Sequence, residues 1–155
     1  MVEICIPVKL HVKQYLIKRY GLKHKITKKT FLGIVLLNII DKGDYKQASS
    51  KEKTVNYIIN VPEFYFNTKG FNITPEKLNF LSNCLDRLFM EDFYRFVDIE
   101  LLKPNSNAYQ SVALFLKFYE IQESHIKLES MYRNYQRYCD ENIKQKKNKI
   151  PNQYQ

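Results

Sequence analysis

Eight basic side chains, Lys9, Lys13, Lys18, Arg19, Lys23, Lys25, Lys28 and Lys29, fall within residues 9–29 with no Asp or Glu among them. Such a run is chemistry for a polyanion, because each ammonium or guanidinium can neutralise a phosphate and release its condensed counterion. The clustering weighs more than the total. The formal charge of +9 divides as +7 over residues 1–50, −1 over 51–104 and +3 over 105–155, so the positive potential belongs to the first third. A bias toward Lys, Asn, Ile and Tyr, of the kind an AT-rich genome produces, is the competing source of the same charge, and a solvated helix face is the competing use of it.

A second set lies near the carboxyl end. Leu128, Met131, Tyr132, Tyr135 and Cys139 repeat at helical spacing, while Lys127, Ser130, Asn134 and Arg137 follow one another on the opposite side with Arg133 beside them. Asn and Arg carry forked donors and acceptors that match adenine and guanine edges in a major groove, and Lys or Ser can hold phosphate. That face carries no acid, although Glu123, Glu129, Asp140 and Glu141 sit on the same element. A polar stripe of this kind is also what any solvated helix shows.

Catalytic patterns are missing. There is no GxxxxGK[ST], GxGxxG, GxSxG or HExxH, and Asp86, Glu91, Asp92, Asp98 and Glu100 lack a spacing that would gather them with a histidine. Cys5, Cys84 and Cys139 form no CxxC, and His11, His24 and His125 stand at no ligand spacing to them. His24, between Lys23 and Lys25, reads as part of the basic patch and not as a general base. The expectation is a non-enzyme with no catalytic residue, metal or cofactor. The amino terminus has no signal-peptide layout and the apolar run 31–40 is too short for a bilayer, which points to a cytoplasmic protein with no membrane partner.

These residues need elements to position them. Val2, Ile4, Ile6 and Val8 alternate with Glu3, Cys5, Pro7 and Lys9, the period of a half-buried strand that Pro7 consigns to an edge. Residues 10–20 have helical spacing and Gly21 as a stop. Residues 30–42, capped by Thr27 or Thr30 and ended by Gly43, are apolar on nearly every side and predict a buried central helix. Lys28 and Lys29 at its start have the wrong sign for a helix dipole, which an anion there would explain. After a polar loop at 44–53, residues 54–66 predict a strand bent or broken at Pro62, and 67–72 a turn. Thr74-Pro75-Glu76 opens a long helix to about residue 102, whose near-cancelling charges suit a scaffold or an oligomer interface. Past Pro104, residues 107–119 and 125–146, the latter capped by Ser124, predict two helices joined by a short break at 121–124.

Assembled, the elements predict a mostly helical α+β fold with about five helices and a small antiparallel sheet of residues 2–8 and 54–66. The organisation reads as a basic strand-helix-helix-strand unit at 1–73, a helical unit at 74–146 with a helix-turn-helix-like pair at 107–146, and a flexible tail at 147–155. The strand and two helices of residues 2–42 resemble the layout of ribbon-helix-helix proteins, in which two chains pair strands in the major groove. The opening IPVKLHVKQYLIKRYG and the closing FLKFYEIQESHIKLESMYRNYQRY resemble small basic helix-turn-helix DNA-binding proteins of bacterial phages and mobile elements. That resemblance implies a bacterial, DNA-associated setting, and with the basic run and the carboxyl-terminal polar stripe the expectation is a protein that binds double-stranded DNA, as a homodimer or alone, in transcription or replication. The alternative is an oligomeric interaction protein whose charge is compositional.

Overall fold

The computed structural model describes residues 1–40, 55–69 and 73–148, and every structural statement below concerns those. The expected loop at 44–53, the stop at Gly43, the end of the turn at 70–72 and the tail past 148 lie outside them. The elements are β1 (Val2–Val8), α1 (Leu10–Tyr20), β2 (Lys23–Lys25), α2 (Phe31–Ile40), β3 (Val55–Val61), α3 (Glu63–Lys69), α4 (Pro75–Glu100), α5 (Ala108–Phe118) and α6 (Leu128–Asn148). The fold is α+β and mostly helical. Its two compact units are Met1–Met90 and Glu91–Gln155, so the division falls inside α4.

The first unit is a three-stranded sheet in the order β1-β3-β2. β1 and β3 are antiparallel, with Val2 opposite Val61 and Val8 opposite Val55. The sheet is mixed, not wholly antiparallel, because β2 runs parallel to β3 with His24 opposite Ile59. Three residues, two of them lysines, carry no strand signal of their own, and β2 exists because β3 offers its free edge. Its pairing continues into the amide of Ile26, which donates to the Asn60 carbonyl at 3.0 Å. Ile4, Ile6, Val8, His24, Tyr57, Ile59 and Val61 are buried, as are Val12, Tyr15 and Leu16 of α1 and Leu81, Leu85 and Phe89 of α4. The Phe89 ring joins the helices, lying 5.4 Å from Tyr15 and 5.1 Å from His11.

Pro7 sits where its missing N–H does no harm. It faces Asn56 in the ladder, while its carbonyl turns away to accept the hydroxyl of Ser82 on α4. The aromatic run after β3 corrects the sequence expectation: Phe64, Tyr65 and Phe66 are helical. Pro62 cannot continue a ladder, and its carbonyl instead accepts the amides of Tyr65 (3.0 Å) and Phe66 (3.3 Å), opening α3. α2 is likewise not buried all round. Leu32, Leu36 and Ile39 face inward, but Ile34 is 44% exposed and Asn38, one turn on, is exposed with it. The expected cap holds, with Thr30 Oγ1 accepting the Gly33 amide at 3.1 Å. α1 ends at Gly21, whose φ of 88° supplies the expected stop.

In the second unit the end of α4, α5 and α6 bury Phe93, Val97, Val112, Phe115, Leu116, Met131 and Tyr135. Phe115 meets Phe93 and Phe96 edge-on at 5.1 and 5.4 Å. Asn107 caps α5 by accepting the Gln110 amide at 2.8 Å. At the other end the Glu120 amide reaches the Lys117 carbonyl and the Ile121 amide the Leu116 carbonyl, a Schellman closure with Glu120 at φ 57°. The connection therefore runs over residues 119–127, longer than the expected short break. α6 begins at Leu128, where the Lys127 carbonyl, and not Ser124, receives the first helical amides.

Two backbone positions give opposite expectations. Gly33→Ala, which helix propensity favours by about 1 kcal/mol, should destabilise by about 1–3 kcal/mol, because its Cβ would collide with the Thr27 carbonyl and lie 2.9 Å from Thr30 Oγ1. Glu120→Gly should stabilise by roughly 1 kcal/mol, since glycine holds a positive φ without strain. Urea midpoints of the two variants, moving in opposite directions, check both.

Candidate nucleic-acid interface

Seven of the twelve candidate residues lie in the first unit and five in the second. α1 disperses its share. Lys13 and Lys18 are five residues apart, roughly 140° around the helix, and Lys13 is half-buried while Lys18 is exposed. Lys9 pairs with Asp86 of α4 at 3.7 Å. Arg19 folds back: its guanidinium donates to the Tyr15 hydroxyl at 2.6 Å and lies 5.2 Å from the Tyr20 ring.

On β2 the strand period sorts the side chains. Lys23 and Lys25 point outward and His24 inward. Lys23 reaches across the sheet to Glu3, and Lys28 lies 5.5 Å from the Tyr65 ring. Among the described residues, Lys13, Lys25 and Lys29 have no ion-pair or ring partner, and of these Lys25 and Lys29 are exposed. Lys9, Arg19, Lys23 and Lys28 thus each have a partner within the fold.

His24 is a correction. Alternation turns it into the core, where its ring lies 4.7 Å from Tyr20 and its Nε2 has no hydrogen-bond partner among the described residues. Burial holds its pKa below the ordinary histidine value, so the imidazole is neutral and adds nothing to the basic surface. Nearby, the Tyr57 hydroxyl donates to the Gly21 carbonyl at 3.0 Å, and burial followed by the neighbouring Tyr20 pushes that phenol well up.

α6 presents the expected face. Lys127, Ser130, Arg133 and Arg137 are exposed, while Met131 and Tyr135 on the other side are buried. Asn134 is half-buried, being three residues past Met131 and four before Tyr138 on the flank of the packed side. The acid-free stretch ends at Arg137, because Glu141 follows one turn later and is exposed. What the sequence reading missed is Asp98. Its Oδ1 accepts the Tyr135 hydroxyl at 2.6 Å and its Oδ2 the Tyr138 hydroxyl at 3.1 Å, and Tyr138 stacks on Tyr94 with centroids 4.1 Å apart. The helical pairs Tyr94/Asp98 and Tyr135/Tyr138 are the signal that could have exposed this contact.

Among the described residues no three His, Cys, Asp or Glu side chains gather as metal ligands, and no helix is long and apolar enough to cross a membrane. The three cysteines are free thiols. No family model matches the chain, and neither curated proteins nor solved structures show a significant likeness to it.

Because the folded state holds His24 less protonated than the unfolded chain does, its contribution to stability is fully present above the ordinary histidine value of 6.5. It is lost as pH falls from there toward the lowered folded value. Denaturant midpoints measured through this window should fall in the wild type. The fall should be shallower in His24→Leu, and identical profiles would refute the assignment.

Proposed function

We propose that the chain is a non-enzymatic protein of double-stranded DNA, serving transcription or replication in a phage or mobile element and using the outward face of α6. The observation that carries this reading is the sidedness of that helix: Lys127, Ser130, Arg133 and Arg137 are exposed, while Met131, Tyr135 and Tyr138 do the packing. A helix held from behind by a tyrosine-carboxylate clamp is a rigid support for side chains aimed at base edges. Exposed Glu129, one turn before Arg133, and Glu141, one turn past Arg137, would both repel phosphate, so contact by α6 itself is confined to the stretch between them. The exposed Lys25 and Lys29 would add phosphate contacts without reading sequence.

A second reading has its own observation. Leu114 (44% exposed) and Phe118 (55% exposed) lie one turn apart on α5, an apolar pair that suits an oligomeric interaction protein. Gel shifts of duplex DNA beside light scattering of the free protein separate the two.

Under the DNA reading, Arg137→Ala costs about 1–3 kcal/mol on a preferred site and much less on random duplex. Lys127→Ala weakens both alike. Replacing Lys25 and Lys29 together with Ala should lower the slope of log affinity against log salt by roughly two, at about 0.9 for each phosphate no longer neutralised. Unchanged slopes and unchanged affinity for the α6 variants would leave only the oligomer reading.

A further inference from the structure

The second unit holds a groove that the DNA reading leaves unused. Glu91, Tyr94, Asp98, Ile99, Leu102 and Tyr138 line a cavity of about 460 Å³ between α4 and α6. Within it Tyr94 and Tyr138 lie parallel, with centroids 4.1 Å apart and planes 4° from coplanar. Tyr138 donates to Asp98, and the charge of Glu141, after burial, helps to hold the Tyr94 phenol above its ordinary pKa. A neutral phenol beside a carboxylate keeps an electron-rich ring, and the face of such a ring attracts a cation.

Three further features narrow the ligand. Each Asp98 oxygen accepts one hydroxyl and keeps acceptor capacity for another donor. Ile99 is 53% exposed and Leu102 is 84% exposed, an apolar wall suited to an aliphatic stem. Glu91 and Asp98 outnumber Arg95, the one cation lining the cavity among the described residues, and the charge of Glu141 reaches Tyr94 from outside the lining, so the groove is locally acidic on a chain of formal charge +9. A phosphate ligand is disfavoured by the same carboxylates. A planar guanidinium with a three-carbon stem fits ring face, carboxylate and wall together, and an ammonium has neither the plane nor the fork.

We propose that this groove captures an arginine side chain from an extended segment of a partner protein. The guanidinium lies against the Tyr94–Tyr138 pair and donates to Asp98 and Glu91, and its stem runs along Ile99 and Leu102. Arg95 repels a second cation placed beside the first. The preferred segment therefore carries one isolated arginine in a neutral context and not a basic run. This site stands whether or not α6 binds DNA.

The test is fluorescence anisotropy of the full chain with a labelled, end-capped peptide of Gly, Ser and Leu carrying one central Arg. Its partners are the same peptide with Lys or with Gln at that position, and octa-arginine. Saturable binding is expected for the Arg peptide, weaker by about threefold or more for Lys and for octa-arginine, and absent for Gln. Glu91→Gln with Glu141→Gln, at exposed carboxylates, should weaken the Arg peptide by about threefold or more. Tyr94→Leu, which leaves both Asp98 bonds in place, should do the same. Equal binding of the Gln peptide, no effect of these substitutions in variants with unchanged circular dichroism, or no binding at millimolar peptide would each overturn the proposal. So would displacement by the peptide of a dimer detected in sedimentation, which would make a second copy of the chain the occupant.

Discussion

The apolar stripe of α4 is the constraint on which both units depend. Leu81, Leu85, Phe89, Phe93 and Val97 recur at intervals of four and are all buried, so the elements packed on it must each bring a matching face. α1 answers with Tyr15, and α5 and α6 answer with Phe115 and Tyr135. Burying side chains of this size contributes roughly 1.5–3 kcal/mol each. Polar contacts to α4 such as Ser82 to the Pro7 carbonyl and Asp98 to two tyrosines add little energy by comparison. What they fix is geometry: a strand edge in one unit, the rotation of α6 about its axis in the other.

That rotation is why the candidate face of α6 is exposed. Tyr135 and Tyr138 are held by one carboxylate, and residues half a turn away, Arg133 and Arg137, are left to solvent. In the first unit the backbone works the other way. Helical spacing drives Lys13 and Lys18 apart, β alternation turns His24 inward, and Glu3, Asp86 and Tyr15 each engage one of the basic residues. A charge run that is continuous along the chain is thereby partly engaged within the fold.

Long periodic segments were legible without coordinates. β1, α1 with its glycine stop, α4 with its Thr74 cap and the body of α5 all follow from spacing and local capping chemistry. What escaped depends on distant partners. β2 is a strand because β3 lies beside it, α3 is a helix because Pro62 stops a ladder that its aromatic residues would otherwise prolong, and α2 shows Ile34 to water because only one arc of it is covered. Of the site, the outward stripe of α6 could be read from the i, i+3 pattern, whereas the Asp98 clamp behind it required two helices to meet.

The place of β3 in the sheet sets the order in which the amino-terminal unit can be assembled. β1 and β2 flank β3 and never pair with each other, and Val2 finds its partner only in Val61. During synthesis neither early strand has a ladder to join until the third has left the ribosome, so there is no local hairpin to nucleate on. A sheet built from such distant pairings has high contact order and closes slowly. For that interval the nascent chain carries an unpaired apolar strand beside its most cationic stretch, and like charge of that kind opposes edge-to-edge joining of neighbouring strands.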